Sequence, residues 1–329
     1  MQCRICERQT TGDFRVREMM FGSREPFDYV RCTGCGCVQL ANIPDDLSAY
    51  YPPDYYAHRR EEGESLLKSL LTERRNRYAL WGDSLPGKWL YRRYPNVPLR
   101  SLSLLPLDLD TRILDVGCGR GDLLRELHEL GFRNLLGVDP FNPEPIRYEN
   151  GLTIRNGELE EVEGDWDLIM MHHAFEHVPD PREVLYRIQQ LLAPGGWCLI
   201  RIPMSSSYAF EHFGEQWVQW DAPRHCYLHT PESMKVLARQ SGLHLQGVSY
   251  DSTAFQFWGS LQYEQDIPLN DERSHAVNPG NSMFSRRQIE TFSRRADALN
   301  RIGRGDQAVF LLGRQPAPYS TPEDIPTHS

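Results

Sequence analysis

The chain has no run of about 18 apolar residues, and no charged-then-apolar leader opens it. Neither a membrane span nor a secretory signal is expected, and the cytoplasm is the expected compartment. Positive charge is also scarce: 36 Lys and Arg stand against 45 Asp and Glu, a net charge of -9. Broad attraction to nucleic acid depends on cations neutralising phosphates, so no nucleic-acid partner is expected. No internal repeat is visible. What is present is 329 residues with 40% apolar content, enough for one sizeable core and a smaller module. Basic residues do outnumber acids between Arg59 and Arg100, where leucines and tyrosines interleave, and this stretch reads as helical connecting structure.

The most informative segment is Ile113-Leu114-Asp115-Val116-Gly117-Cys118-Gly119-Arg120-Gly121, a short apolar strand that runs into a glycine turn with an acid at the junction. A dinucleotide fold also has glycines there, but its turn faces an anionic pyrophosphate that a carboxylate would repel. The spacing D-x-G-x-G-x-G resembles motif I of the class I S-adenosylmethionine-dependent methyltransferases, whose cofactor carries a net positive charge. A helical period over Asp122–Leu130 and a second short strand, Leu135–Val138, then lead to Asp139 and Pro140. The resemblance implies that Asp139 accepts hydrogen bonds from the ribose hydroxyls. It also implies that Gly157 and Glu158, after a third strand ending near Arg155, border the adenine. With Asp115, Gly117, Cys118, Gly119, Gly121 and His172, these residues are the expected cofactor contacts.

Cys3-Arg4-Ile5-Cys6 and Cys32-Thr33-Gly34-Cys35 form two C-x-x-C knuckles separated by a strand-like segment. Tetrahedral zinc takes four soft ligands, and two knuckles brought together by a hairpin supply them. Four cysteine ligands describe a closed, structural site, with Cys37 a bystander. Disulfides are disfavoured in a reducing compartment. The first 56 or so residues resemble the zinc-binding domain that precedes the methyltransferase domain in sugar C-methyltransferases.

Trp166–Met171 reads as a buried strand that delivers His172-His173-Ala174-Phe175-Glu176-His177 to the carboxyl edge of a parallel sheet, where such sheets bind ligands. Asp180-Pro181-Arg182-Glu183 starts the next helix, with Asp as N-cap and Pro in the first turn. The string from Glu176 to the Pro194-Gly195-Gly196 turn resembles small-molecule methyltransferases. In quinone-biosynthesis O-methyltransferases a similar segment supplies two glutamates and a histidine to a divalent cation. Glu176 and His177 match the last two, while His173 replaces the first glutamate and removes a hard ligand that magnesium needs. The rival H-x-x-E-H reading, a zinc peptidase helix, fails because a strand and Val178-Pro179 leave too little helix. Downstream, Trp217 and Trp220 are candidates to wall a substrate ring, and Arg224 to hold an anionic group. The candidate catalytic residues are His173, Glu176, His177 and His225, with His177 or His173 preferred as base.

The expected fold is therefore α/β: a Rossmann-like class I methyltransferase sheet with helices on both faces, plus a small N-terminal zinc ribbon. The expected division is ribbon 1–50, helical connection 51–110, methyltransferase domain 111–314 with an insertion at about 252–303, and a disordered tail 315–329. The expected activity is S-adenosylmethionine-dependent methyl transfer to a small molecule or glycan, at oxygen. C-methylation of a nucleotide-linked sugar, or an RNA- or protein-modifying enzyme that grips its target with the zinc module, are the alternatives. Oligomeric state is left open.

Overall fold

The computed structural model describes residues 1–51 and 66–315. Most of the expected tail, 316–329, lies outside the described residues. The N-terminal part is an antiparallel sheet of β1 (Thr10–Arg17), β2 (Pro26–Cys32) and β3 (Val38–Leu40). Next come α1 (Leu66–Trp81), α2 (Leu85–Arg93) and α3 (Val97–Ser101). Ser84 and Asn96 cap α2 and α3 through their side chains, and each helix has a proline in its first turn.

The remainder alternates strands and helices. In chain order these are β4 (Ile113–Val116), α4 (Asp122–Glu129), β5 (Leu135–Val138), β6 (Ile146–Arg147), β7 (Thr153–Arg155) and β8 (Trp166–His172). Then follow α5 (Pro181–Leu191), β9 (Leu192–Pro203), α6 (Tyr208–Phe213), β10 (Tyr227–Leu228), α7 (Pro231–Gln240) and β11 (His244–Tyr250). The last are α8 (Phe255–Glu264), α9 (Arg286–Arg301) and β12 (Gln307–Gly313). Eight strands form one sheet in the order β11-β12-β9-β8-β4-β5-β7-β6. The central strands β9, β8, β4, β5 and β7 are parallel; β12 inserts antiparallel between β11 and β9. Buried residues of the central strands fall in two apolar clusters, one containing Leu114, Ile169 and Ile200 and the other Ile113, Leu168 and Leu199. Alternate residues of one strand thus feed opposite faces, as the pleat requires.

Chain order at the switch between β4 and β8 sets the site. From β4 the chain moves outward through β5 and β7, then returns to β8 on the other side, so the loops after β4 and β8 diverge and leave a crevice at the strands' carboxyl ends. The helices flanking the sheet start where local chemistry dictates. Asp180 caps α5 by accepting from the Glu183 amide at 3.2 Å, and Thr230 with Ser233 forms a capping box on α7.

The N-terminal sheet is not closed by its own residues. Its fourth strand is β10, paired with β3 through Tyr227↔Gln39 and Leu228↔Val38. The aromatic cluster of Phe14, Tyr29, Phe210, Trp217 and Trp220 packs the two parts together.

Candidate functional site

The crevice after β4 is built from backbone. Gly117, Gly119 and Gly121 have φ of 71°, 56° and 78°, a region L side chains seldom enter. A Cβ on Gly117 would lie 2.5 Å from Ala174 Cβ, and one on Gly121 would strike Ile154 Cδ1 at 2.3 Å. The turn is pinned by Asp139, whose carboxylate accepts from the Gly119 amide at 2.7 Å and the Phe141 amide at 2.9 Å. Asn142 donates to the Gly119 carbonyl at 2.7 Å from the same loop.

A cavity of about 290 Å³ opens here, lined by Pro98, Asp115, the 117–120 turn, His172 and His173 among others. Asp115 is 3% exposed, and its Oδ1 has no partner among the described residues. Burial, then the neighbouring Asp139, pushes its carboxyl well up. An unpartnered buried acceptor of this kind calls for a donor, preferably cationic. His172, also in the lining, has no partner for either ring nitrogen among the described residues, and burial, then Arg201, holds its pKa well below the usual histidine range. It is neutral near pH 7. Glu158 lies close enough to Asp139 for their charges to interact, although burial is the larger cause of its raised pKa. Pro140 follows Asp139 directly, and Gly157 sits in the turn after β7.

Across the cavity, β8 ends at His172, and His173 takes a left-handed φ of 52° that swings the chain into the short turn Phe175–His177. Glu176 is completely buried. His173 Nδ1 lies 3.3 Å from Glu176 Oε1, and His173 Nε2 lies 2.7 Å from Arg201 Nη1. A guanidinium can only donate, so Nε2 accepts and Nδ1–H donates to the carboxylate. Both nitrogens of His173 are thereby engaged, which corrects its selection as a base: no lone pair is left to take a proton from substrate. Arg201 is itself held by Asp251 at 2.6 Å.

His177 and His225 differ from it. His177 Nδ1 donates to the Arg224 carbonyl at 3.0 Å and lies 3.0 Å from the Tyr51 hydroxyl. His225 Nδ1 donates to the Gln219 carbonyl at 2.8 Å. In both rings this leaves Nε2 with the lone pair. His225 Nε2 is 3.8 Å from Glu176 Oε1 and 3.7 Å from Asp221 Oδ2, and the two imidazoles stand 4.7 Å apart. Ligand-type atoms of Glu176, His177 and His225 all fall within 4.8 Å of one another, and Glu176 Oε2 is buried without a partner among the described residues. Burial raises the Glu176 carboxyl, but the His173 hydrogen bond and the nearby His177 and His225 outweigh it, bringing the pKa down to about 2. Burial, then His225, lowers His177 to about 4.

Other expected contacts lie elsewhere. Arg224 is fully buried, bound to Asp221 Oδ1 at 2.5 Å and Glu18 Oε1 at 3.0 Å, and has no free fork for an anionic substrate. Trp217 and Trp220 are 0% and 1% exposed and do not wall the pocket; their indole N–H groups go to Asp306 at 3.1 Å and the Gly214 carbonyl at 2.8 Å. Residues the sequence reading left out include Arg201, a cation in an otherwise apolar strand, which is itself a visible signal. Tyr51 is another: it stacks on Phe141 at 4.6 Å and joins the Asp139 loop to His177.

The cysteine knuckles converge. Cys3 Sγ lies 3.8 Å from Cys35 Sγ and Cys6 Sγ 3.2 Å from Cys32 Sγ, with all four sulfurs within 4.8 Å of one another. These separations far exceed the disulfide length of about 2.05 Å. A tetrahedral ion at about 2.3 Å from each sulfur sets them about 3.8 Å apart. Amides of Ile5, Gly34 and Cys35 donate to Cys3 or Cys32 sulfur, which favours thiolates. Cys37 is buried outside this set, 3.9 Å from His229 Nδ1.

A family model described as "Methyltransferase domain" matches residues 75–247, more than half of the chain, and the chain belongs to that family. That domain has the Rossmann-like α/β fold. Among similar curated proteins is a ubiquinone biosynthesis O-methyltransferase from Bordetella avium (strain 197N), 32% identical over 157 residues; the match covers 42% of this chain and 64% of the relative. Another of the same name, from Acinetobacter baylyi (strain ATCC 33305 / BD413 / ADP1), is 27% identical over 209 residues, covering 54% and 86%. The chain thus spans just under two thirds of the first of these relatives. Among solved structures, a cyclopropane synthase from Mycobacterium tuberculosis aligns at TM-score 0.42 and 19% identity, covering 66% of this chain and 82% of the other. A "putative sarcosine dimethylglycine methyltransferase" from Galdieria sulphuraria aligns at 0.44 and 15%, covering 74% and 98%. No described helix is long and apolar enough to cross a membrane.

Proposed function

We propose that the chain transfers a methyl group to an oxygen of a small molecule or glycan, in the manner that the names of its O-methyltransferase relatives suggest. The observation that carries the cofactor half of this reading is Asp115, which lines the glycine-built cavity and whose buried Oδ1 has no partner among the described residues. S-adenosylmethionine bound there supplies an electrophilic sulfonium methyl. Asp115 receives its cationic part, and Asp139, which keeps acceptor capacity beside its two amide bonds, receives the ribose hydroxyls. Pro140, Gly157 and Glu158 flank that end, and His172, neutral and without a partner among the described residues, faces the reacting region. Methyl transfer is an in-line displacement, so alignment does most of the work.

For a hydroxyl acceptor, His177 and His225 are the bases of this reading, because each keeps an Nε2 lone pair. Glu176 holds the positive charge that a protonated imidazole develops. His173, wedged between Arg201 and Glu176, positions that carboxylate. A second reading is favoured by the buried Glu176 Oε2 and the two fixed tautomers: one nitrogen-rich divalent-cation site on Glu176, His177 and His225, which fits zinc or iron better than magnesium. The Cys3, Cys6, Cys32 and Cys35 set is proposed to hold one structural zinc.

The test is S-adenosylhomocysteine titration followed by single-turnover methyl transfer against phenolic and sugar hydroxyl acceptors. Asp139→Ala is expected to weaken cofactor binding by about 1–3 kcal/mol. His177→Ala and His225→Ala are expected to leave that affinity in place while slowing transfer by roughly 10²- to 10⁴-fold for whichever is the base. Full rate in both variants removes the catalytic assignment; unchanged binding in Asp139→Ala removes the cofactor assignment.

A further inference from the structure

The α1–α2 hairpin takes no part in the site, yet it combines a strong local positive charge with an unusual run of exposed apolar side chains. Between Leu66 and Tyr94 seven Lys and Arg stand against two acids, Glu73 and Asp83, in a chain whose net charge is -9. The helices meet at Gly87, where an added Cβ would lie 2.3 Å from the Arg74 carbonyl oxygen and 2.7 Å from Tyr78 Cβ. At 3.6 residues per turn, that contact turns Leu85, Trp89 and Arg92 to the opposite side of α2. Leu85 is 85% and Trp89 69% exposed. On α1, Asn76, Ala79 and Leu80 are buried, and the opposite face carries Leu67, Leu70 and Arg74, with the two leucines 67% and 54% exposed.

The cations are available as well. Arg75 pairs with Glu126 and Arg77 with Asp83, but Arg74, Lys88 and Arg92 have no carboxylate partner among the described residues. Those cations call for anionic groups, and Leu85 and Trp89 for an apolar environment beside them on the same surface. A bilayer with anionic lipids meets both demands: leucine and tryptophan enter the headgroup boundary while Lys and Arg reach the phosphates. We propose that the α1–α2 hairpin docks on a bilayer surface carrying anionic lipids. The hairpin leads directly into α3, whose Pro98 lines the cofactor cavity. Docking therefore holds that wall of the cavity beside the membrane, where an acceptor with an apolar tail would partition.

Co-flotation of the full chain with vesicles decides the matter. The protein is expected to float with vesicles of phosphatidylcholine mixed with phosphatidylglycerol, not with phosphatidylcholine alone, and to release as salt is raised. The double variants Leu85→Ser/Trp89→Ser and Arg92→Glu/Arg93→Glu are each expected to lower binding at least about tenfold. Retained S-adenosylhomocysteine binding shows that a variant still folds, and if one pair does not, the other decides. Wild-type protein that stays unbound with the mixed vesicles overturns the proposal, as does equal flotation of folded variants. A dimer in light scattering that the variants abolish, with vesicles unbound, assigns the face to a second copy of the chain instead.

Discussion

The glycine-lined cavity and the buried ionisable cluster around Glu176 are built in different ways. The proposed cofactor site is made by the turn after β4 and the loop after β5, which lie within about 30 residues of each other and act mainly through backbone: left-handed glycines, amides on Asp139, one carboxylate at a strand end. The buried cluster gathers Glu176, His225, Arg224 and Glu18 from three distant stretches of chain. It acts through buried ionisable side chains that need one another. The first arrangement tolerates change at a distance. The second depends on the N-terminal module, because β3 pairs with β10, Glu18 clasps Arg224, and the Tyr29 hydroxyl donates to the His225 carbonyl at 2.9 Å.

The largest expected effect tests that dependence. With Cys32→Ser, or after chelation of the proposed zinc, the module loses folding energy that in small zinc domains reaches about 10–16 kcal/mol. The expected outcome is lost methyl transfer and lost zinc by metal analysis, with S-adenosylhomocysteine still bound by the glycine-lined cavity. If cofactor binding disappears in step, the two are one cooperative unit.

Arg224→Met comes next. It leaves Glu18 and Asp221 buried without their cation, and loss of one partner of such a cluster costs about 3–5 kcal/mol. Urea denaturation is expected to show this, with cofactor affinity little changed. A stable variant would mean that Glu18 and Asp221 find other partners and that the clasp is not what holds His225.

The smallest effect is a pH dependence. Burial pushes the Asp306 carboxyl, which accepts from Trp217, up from 3.8 to about 6. The folded state therefore prefers the protonated form. Its contribution is fully present below the unfolded value and is lost as pH rises through about 6, a change of about 3 kcal/mol. Asp306→Asn is expected to match wild type near pH 4 and to exceed it by about that amount above pH 7. Equal pH dependence in the two proteins would show that Asp306 is not the group responsible.

Legibility followed the same division. The run Asp115–Gly121 and Asp139 could be read from spacing, because a strand, a tight turn and a helix start constrain consecutive residues, and the structure puts them in one crevice. The two C-x-x-C pairs could be read as one cluster for a similar reason: a hairpin between two knuckles brings them together, and their four sulfurs lie within 4.8 Å of one another. His173 was misjudged because its partner Arg201 lies on the neighbouring strand and removes its lone pair. Trp217, Trp220 and Arg224 looked like substrate contacts because ring and cation chemistry serve a core as well as a pocket. Only burial separates the two uses.

By itself the sequence determined the glycine turn, the capped helices and the cysteine knuckles, each fixed by backbone geometry over a few residues. Tertiary structure decided which histidines keep a lone pair, that β10 completes the N-terminal sheet, and that Glu18 reaches Arg224 across 206 positions of chain. Those outcomes depend on which buried charges and strand edges meet in space, and local sequence carries no record of such meetings.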